Sequence, residues 1–266
     1  MVMKILTHSG MAHFDEICAI SVVLAKNSTK AHYIERREPS ELELQDPNVW
    51  CIDVGGRYEP ALHNFDHHQD IYLPASFVQV VDYFNLDGLK EMEWFDFKND
   101  MDVNGPFKTS QKYEIKNIWG LLSPLEDFVI RRFQENPSAI YDIMMAWGLE
   151  LVKFSEKFKK ALEFWSKSEV QDINGHPVLI GLTDDNTASQ KFRDSMEKPA
   201  SISVMWDNRE PFGWNLYRFN DTPGVDFSRL IGHPDILFAH KGGFIAKTKT
   251  RLPLEEVLEL IKIAVS

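Results

Sequence analysis

The segment FDEICAISVVLAK, residues 14–26, is apolar on almost every face. A helix at a protein surface carries a polar stripe, and one without it has to be covered all round. What flanks this segment narrows the choice further. A short strand, MKIL, precedes it, and AHYIERR and VWCIDV follow. The last of these is a continuous apolar run of the kind found in parallel sheets covered on both faces. Strand, helix, strand and strand followed by more helix predicts an α/β fold, with a mainly parallel sheet flanked by helices.

From NIWGLLSPLEDFVIRRFQ to SAIYDIMMAWGLELVKFSEKFKKALEFWSKS the pattern is helical, with Pro124 and Pro137 at starting turns. After Gly175 it changes to strands: PVLIGL, SISVMW and WNLYRF, with NTASQKFRDSMEK as a helix between the first two. ILFAHKGGFIAKT and the helix PLEEVLELIKIAV close the chain. The expected organisation is a catalytic domain over 1–168 and a smaller α/β substrate-binding domain over 169–266, both within the ordinary size range. The net charge of −11 argues against coating long nucleic acid, which takes many Lys and Arg contacts to phosphate. A short anionic substrate remains compatible if bound cations supply positive charge. Two cysteines, Cys18 and Cys51, both amid apolar neighbours, argue against a disulfide framework and fit a reducing cytoplasm. No run approaches the roughly 20 apolar residues that span a bilayer.

Polar chemistry gathers just after the predicted strands. His8, His13 and Asp15 follow the first strand, Asp53 follows VWCI, and HNFDHHQD brings Asp66, His67 and His68. In open parallel sheets ligands bind at the carboxyl ends of the strands. Further on, FDFKNDMDVNG offers Asp96, Asp100 and Asp102 before an Asn-Gly turn. Imidazole and carboxylate donors without thiolate suit a hard to borderline ion such as manganese better than structural zinc. There are too many donors for one ion. Two ions need a bridging carboxylate, for which Asp53 is the candidate, and such pairs serve displacement at phosphorus.

The FDHHQ motif resembles the signature of the DHH phosphoesterase superfamily. THSGMAHFDE, DVGGRYEP and HKGGFIAKT together are similar to its melanocyte proliferating gene (UPF0160-type) branch of metal-dependent hydrolases. The resemblance runs from residue 5 to the last helix. The superfamily includes RecJ exonucleases, oligoribonucleases, cyclic dinucleotide phosphodiesterases and manganese pyrophosphatases, and RNA exonuclease activity is reported for eukaryotic members of the branch. The resemblance therefore implies a metal-dependent phosphodiesterase or exonuclease using two Mn2+ ions, with Mg2+ as the alternative to Mn2+, and a homodimer as the superfamily expectation. It assigns His8, His13, Asp15, Asp53 and His67 as metal ligands, Asp66 as the carboxylate that orients them, and His68 as the histidine facing the substrate. His13 stands where the superfamily has Asp. For the last motif both Asp100 and Asp102 qualify, and Asp102, adjoining the turn, is preferred.

In the second domain RF, VDFSRL and AHKGGF resemble the substrate-binding module attached to DHH domains, which makes His240, Lys241 and Arg218 candidates for gripping a nucleotide phosphate. Phe244 is a candidate for stacking a base. Arg57 is a candidate phosphate clamp, against the ordinary reading of a solvated charge. Gly55 and Gly56 are either turn glycines or a backbone cradle. His63 and Asp70 read as rim residues. The substrate class expected is a short single-stranded oligonucleotide. The rival readings are a hydrolase of small phosphoanhydrides or phosphomonoesters, and a metal-binding interaction protein without turnover.

Overall fold

A computed structural model describes residues 2–118 and 123–265, so part of the NIWGLLSPLEDFVIRRFQ stretch lies outside the described residues. The chain divides into two compact units, Met1–Glu156 and Lys157–Ser266. Each is α/β, and both sheets are mixed.

In the first unit β1 (Val2–Thr7), β2 (Ala31–Arg36), β3 (Val49–Ile52), β4 (Tyr58–Glu59) and β5 (Asn64–Phe65) form a sheet in the order β2-β1-β3-β5-β4. The first four in that order run parallel, and β4 is an antiparallel edge. Successive strand residues face opposite sides, so Ile5 and Leu6, both wholly buried, enter different layers. Ile5 joins Ile52, Phe65 and helix α1 (Phe14–Lys26) in the main core, with Phe77 and Val80 of α3 (Ser76–Tyr83). Leu6 joins Val49, Cys51, Val54 and Leu44 of α2 (Glu41–Leu44) on the other side. Helix α1 is buried without interruption from Asp15 to Ala25, as its composition demands. Each fully covered Ile, Val or Leu contributes on the order of 1.5–3 kcal/mol.

Helix α4 (Glu93–Lys112) corrects the expected Asn-Gly turn. The chain is helical on both sides of Gly105, whose φ of 75° and ψ of 165° break the helix. Glycine alone adopts such a backbone freely, and Pro106 suits the restart because its missing N–H falls where none is needed. Helices α5 (Pro124–Glu135) and α6 (Tyr141–Ser166) follow, and the boundary between the units falls within α6.

The second unit holds β6 (Glu169–Ile173), β7 (His176–Gly181), β8 (Ile202–Asp207), β9 (Gly213–Arg218), β10 (Ile236–Ala239) and β11 (Ile245–Thr248), in the order β10-β11-β9-β8-β7-β6. Of its neighbouring pairs only β7–β8 is parallel. Val178, Ile202, Leu216 and Phe227 form its core with Val257 and Ile261 of α8 (Leu254–Ala264). Helix α7 is shorter than its sequence suggests, covering Ser189–Ser195. Among the described residues no helix is long and apolar enough to cross a membrane.

Candidate metal centre

Strands β1, β3 and β5 are adjacent and parallel, so their carboxyl ends share one edge of the sheet. His8 lies just past β1, Asp53 just past β3, and Asp66, His67 and His68 just past β5. The start of α1 adds His13, Asp15 and Glu16. Asp102 arrives from α4, ahead of the Gly105 break. Asp53 takes a left-handed backbone, φ 57°, a conformation that costs an ordinary residue about 1–3 kcal/mol. Its own N–H is held by the Phe65 carbonyl at 2.8 Å, which ties the turn to β5.

The Asp53 carboxylate is divided between two sets of donors. Oδ2 lies 3.4 Å from His8 Nε2, and Oδ1 lies 3.4 Å from His67 Nε2. On the first side His8, His13, Glu16 and Asp53 each present a donor atom within 4.8 Å of the others; on the second, Asp15, His67 and Asp102 do the same. His67 Nε2 is 2.8 Å from Asp102 Oδ2 and 3.8 Å from Asp15 Oδ2. Asp15 has a further duty, since its two oxygens accept the N–H groups of Ser76 and Phe77 at 2.9 and 2.5 Å, at the start of α3.

The electrostatics follow from packing four carboxylates into a buried site. Burial pushes the Asp15 carboxyl well above its usual range, and the Asp53 and Asp102 carboxylates push it further. Burial also raises Glu16. For Asp53 burial acts upward too, but the His67 and His8 imidazoles outweigh it and hold the group below the usual carboxylate range. His8, beside Asp53 and Glu16, is pushed up to about 10. Burial opposes the charge on His67, yet Asp102 and Asp53 carry it up to about 10. Among the described residues His8 Nε2, Glu16 Oε1, Asp53 Oδ2 and His67 Nε2 are all buried and make no hydrogen bond. Leaving such atoms unsatisfied costs about 1–3 kcal/mol each, more when charged, so the donor set fits divalent ions.

Asp66 works behind this site. Its Oδ1 accepts the His67 and His68 N–H groups at 2.7 and 3.1 Å and the His68 ring Nδ1–H at 2.7 Å. Its Oδ2 accepts the Gly56 N–H at 2.6 Å. The Asp66 hydrogen bond raises the His68 pKa and fixes the ring with Nδ1 protonated. His68 is exposed and lines a cavity of ≈ 470 Å³ together with His8, Asp53, Gly55, Gly56 and Asp66.

Other sequence candidates lie elsewhere. Asp100 is bound by Asn104, Lys112 and Tyr113, with Lys112 Nζ at 2.5 Å, and does not join the donor groups. Arg57 is held by both oxygens of Glu41 at 2.8 Å. Gly56 spends its N–H on Asp66, and a Cβ on Gly55 (φ +96°) would lie 2.7 Å from Leu44, so both serve the turn. His63 stacks on Trp50, centroids 4.0 Å apart, and bonds the Pro47 carbonyl and the Tyr83 hydroxyl. Asp70 accepts the Tyr72 N–H. In the second unit Arg218 donates to the Val225 carbonyl at 2.8 Å and to Asp221 at 2.6 Å, which holds loops in place. His240 and Lys241 are exposed at the β10–β11 turn, where His240 Nδ1 accepts the Gly242 N–H and its ring lies 4.3 Å from Phe244. Glu16 was the residue that motif reasoning missed. The available signal was its place three residues after His13, a helix-start spacing that the His13 N–H to Glu16 Oε2 bond of 2.8 Å realises.

Residues 4–79 match the family model MYG1_exonuc, described as Uncharacterised protein family (UPF0160). That stretch contains every donor named above except Asp102. The chain is 31% identical over 288 residues to the MYG1 protein of Chlamydia muridarum, covering 96% of this chain and 95% of that one. It is 39% identical over 67 residues to the MYG1 exonuclease of Rattus norvegicus and 37% over 67 to that of Homo sapiens, in each case 25% of this chain and 17% of the relative. With likeness along nearly its whole length to one such protein, and with the family model lying over the strands that carry the donors, the chain belongs to the MYG1 (UPF0160) family.

Proposed function

We propose that the first unit is a DHH-type phosphoesterase site that binds two divalent ions, preferably Mn2+, and hydrolyses P–O bonds, acting as an exonuclease on short oligonucleotides. The observation that carries the reading is the Asp53 carboxylate, one oxygen turned to His8 and the other to His67, with further donors behind each. His8, His13 and Asp53 hold one ion; Asp15, Asp53, His67 and Asp102 hold the other. Divalent ions at these positions supply positive charge against a phosphate and make a water acidic near neutral pH.

The protein's own groups divide the remaining work. Asp66 keeps the proton of His68 on Nδ1 and so presents Nε2 as the free end of the ring. His68, exposed on the wall of the ≈ 470 Å³ cavity, places a proton or a positive charge against a phosphate oxygen or the leaving oxygen. In the second unit, His240, Lys241 and Phe244 on the β10–β11 turn are the candidates for contact with a nucleotide, and Arg218 donates to the Gly242 carbonyl of that turn at 3.4 Å. The name exonuclease on the rat and human relatives supports an oligonucleotide over a small phosphoanhydride.

The test is hydrolysis of a labelled five-nucleotide RNA, with pyrophosphate in parallel, in Mn2+ and in chelator. Mononucleotides released only with Mn2+, lost in Asp53→Ala and Asp102→Ala and kept in Asp100→Asn, are expected. Phosphate from pyrophosphate alone moves the reading to small phosphoanhydrides. Activity on neither substrate refutes the substrate class.

A further inference from the structure

Glu16 is a carboxylate with no access to solvent, in the first turn of α1. Its two oxygens have different fates. Oε2 accepts the His13 N–H at 2.8 Å, closing the start of the helix. Oε1 makes no hydrogen bond among the described residues, although burying an ionised oxygen without a partner is among the costliest arrangements in a protein. It lies 3.4 Å from His8 Nε2, and His8 Nε2 lies 3.4 Å from Asp53 Oδ2. Those two atoms are also buried and also make no hydrogen bond among the described residues. Three orphaned donors thus meet at one point.

The spacing is informative. Donor atoms about 2.1 Å from a shared ion stand roughly 3.0 to 3.4 Å from one another in octahedral or tetrahedral arrangements. Direct hydrogen bonds would draw them to about 2.8 Å. The nearest fixed positive charge, Arg36, is 3.9 Å from Glu16 Oε1, and its Nη1 and Nη2 are spent on the Gln134 and Gly10 carbonyls. Arg36 therefore tempers the charge on Glu16 without taking its free oxygen.

We propose that Glu16 Oε1 is a ligand of the cation held by His8 and Asp53, so that this ion takes two carboxylates and at least one imidazole from the chain. The proposal rests on the two-ion reading above and adds a ligand to it. The donor set it defines, two carboxylates with imidazole and no thiolate, selects Mn2+ or Mg2+ over soft ions.

The experiment is calorimetric titration of the chelated full chain with Mn2+, with unbound ion counted by electron paramagnetic resonance, for wild type, Glu16→Gln, Glu16→Asp and Asp102→Asn. Glutamine retains an oxygen for the His13 N–H, so a capping role survives the substitution. The expected result is two ions for wild type and a loss of more than about 100-fold in affinity for one of them in Glu16→Gln, beyond the roughly 10–100-fold that removing an outer partner costs. Asp102→Asn weakens the other ion. Glu16→Asp, which keeps the charge but withdraws it by one methylene, weakens the same ion as Glu16→Gln if the latter folds poorly. Two ions at wild-type affinity in both Glu16 variants overturn the proposal and leave the two-ion reading standing. One ion in wild type that the Glu16 variants weaken supports Glu16 while refuting the second ion. No ion in wild type overturns both.

Discussion

The two hydrogen bonds that Asp15 accepts from Ser76 and Phe77 make it the cap of a helix it does not belong to. Helix α3 begins after Ala75, whose methyl group offers no acceptor to close the first turn, and Asp15 supplies both oxygens from 61 and 62 residues upstream. A hydrogen bond contributes about 0.5–1.5 kcal/mol, rising to about 1.5–3 kcal/mol where the acceptor is charged, and truncation leaves two buried N–H groups without partners. Against this stands the crowding of Asp15 by Asp53 and Asp102, which truncation relieves. In chelator Asp15→Ala is expected to lose about 3 kcal/mol, while Asp15→Asn, which keeps one acceptor and sheds the repulsive charge, loses less than half of that. Urea denaturation followed by tryptophan fluorescence gives the overall loss, and hydrogen exchange of the residue 76 and 77 amides locates it. If Asp15→Ala in chelator unfolds within about 0.5 kcal/mol of wild type, with those amides protected as before, Asp15 is a metal ligand alone and the capping argument is wrong.

The ionisable donors, and the packing of α6 on α1, carry further expectations. His8 and His67 have folded pKa values near 10, above the unfolded 6.5, so their charged forms stabilise the chelated protein fully below pH 6.5 and that contribution fades as pH rises through about 10. Divalent ions bind the neutral rings, so Mn2+ affinity should rise from about pH 6 to about pH 8 with proton release visible in calorimetry across buffers of different ionisation enthalpy; affinity that falls over this range contradicts the assignment. Gly148 of α6 lies against α1, where a Cβ would stand 1.9 Å from the Ser21 carbonyl oxygen and 2.5 Å from its carbon, so Gly148→Ala is expected to cost about 3 kcal/mol or more in thermal or urea unfolding, and a loss under about 1 kcal/mol would mean the two helices part easily.

Several features were legible from residues alone because they depend on local pattern. A helix apolar on every side must be enclosed, and α1 is. An apolar strand run with no alternation must be covered on both faces, and in β3 Trp50 and Ile52 enter one layer while Val49 and Cys51 enter the other. His and Asp residues placed directly after parallel strands share an edge wherever those strands are neighbours, and β1, β3 and β5 are. Tertiary structure decided what depends on partners distant in the chain. Asp100 and Asp102 are equivalent in composition, but helix α4 turns one toward His67 and the other toward Lys112 and Tyr113. Arg57 is drawn to Glu41, and His63 to Trp50 and Tyr83, by neighbours that no spacing announces. Glu16 read locally is a helix-start residue; only the arrival of His8 and Asp53 around its free oxygen gives it a second role. The physical reason is the same in each case: periodicity encodes whether a side chain is covered, whereas a carboxylate's partner is set by which donors the folded chain brings within about 3 Å of it.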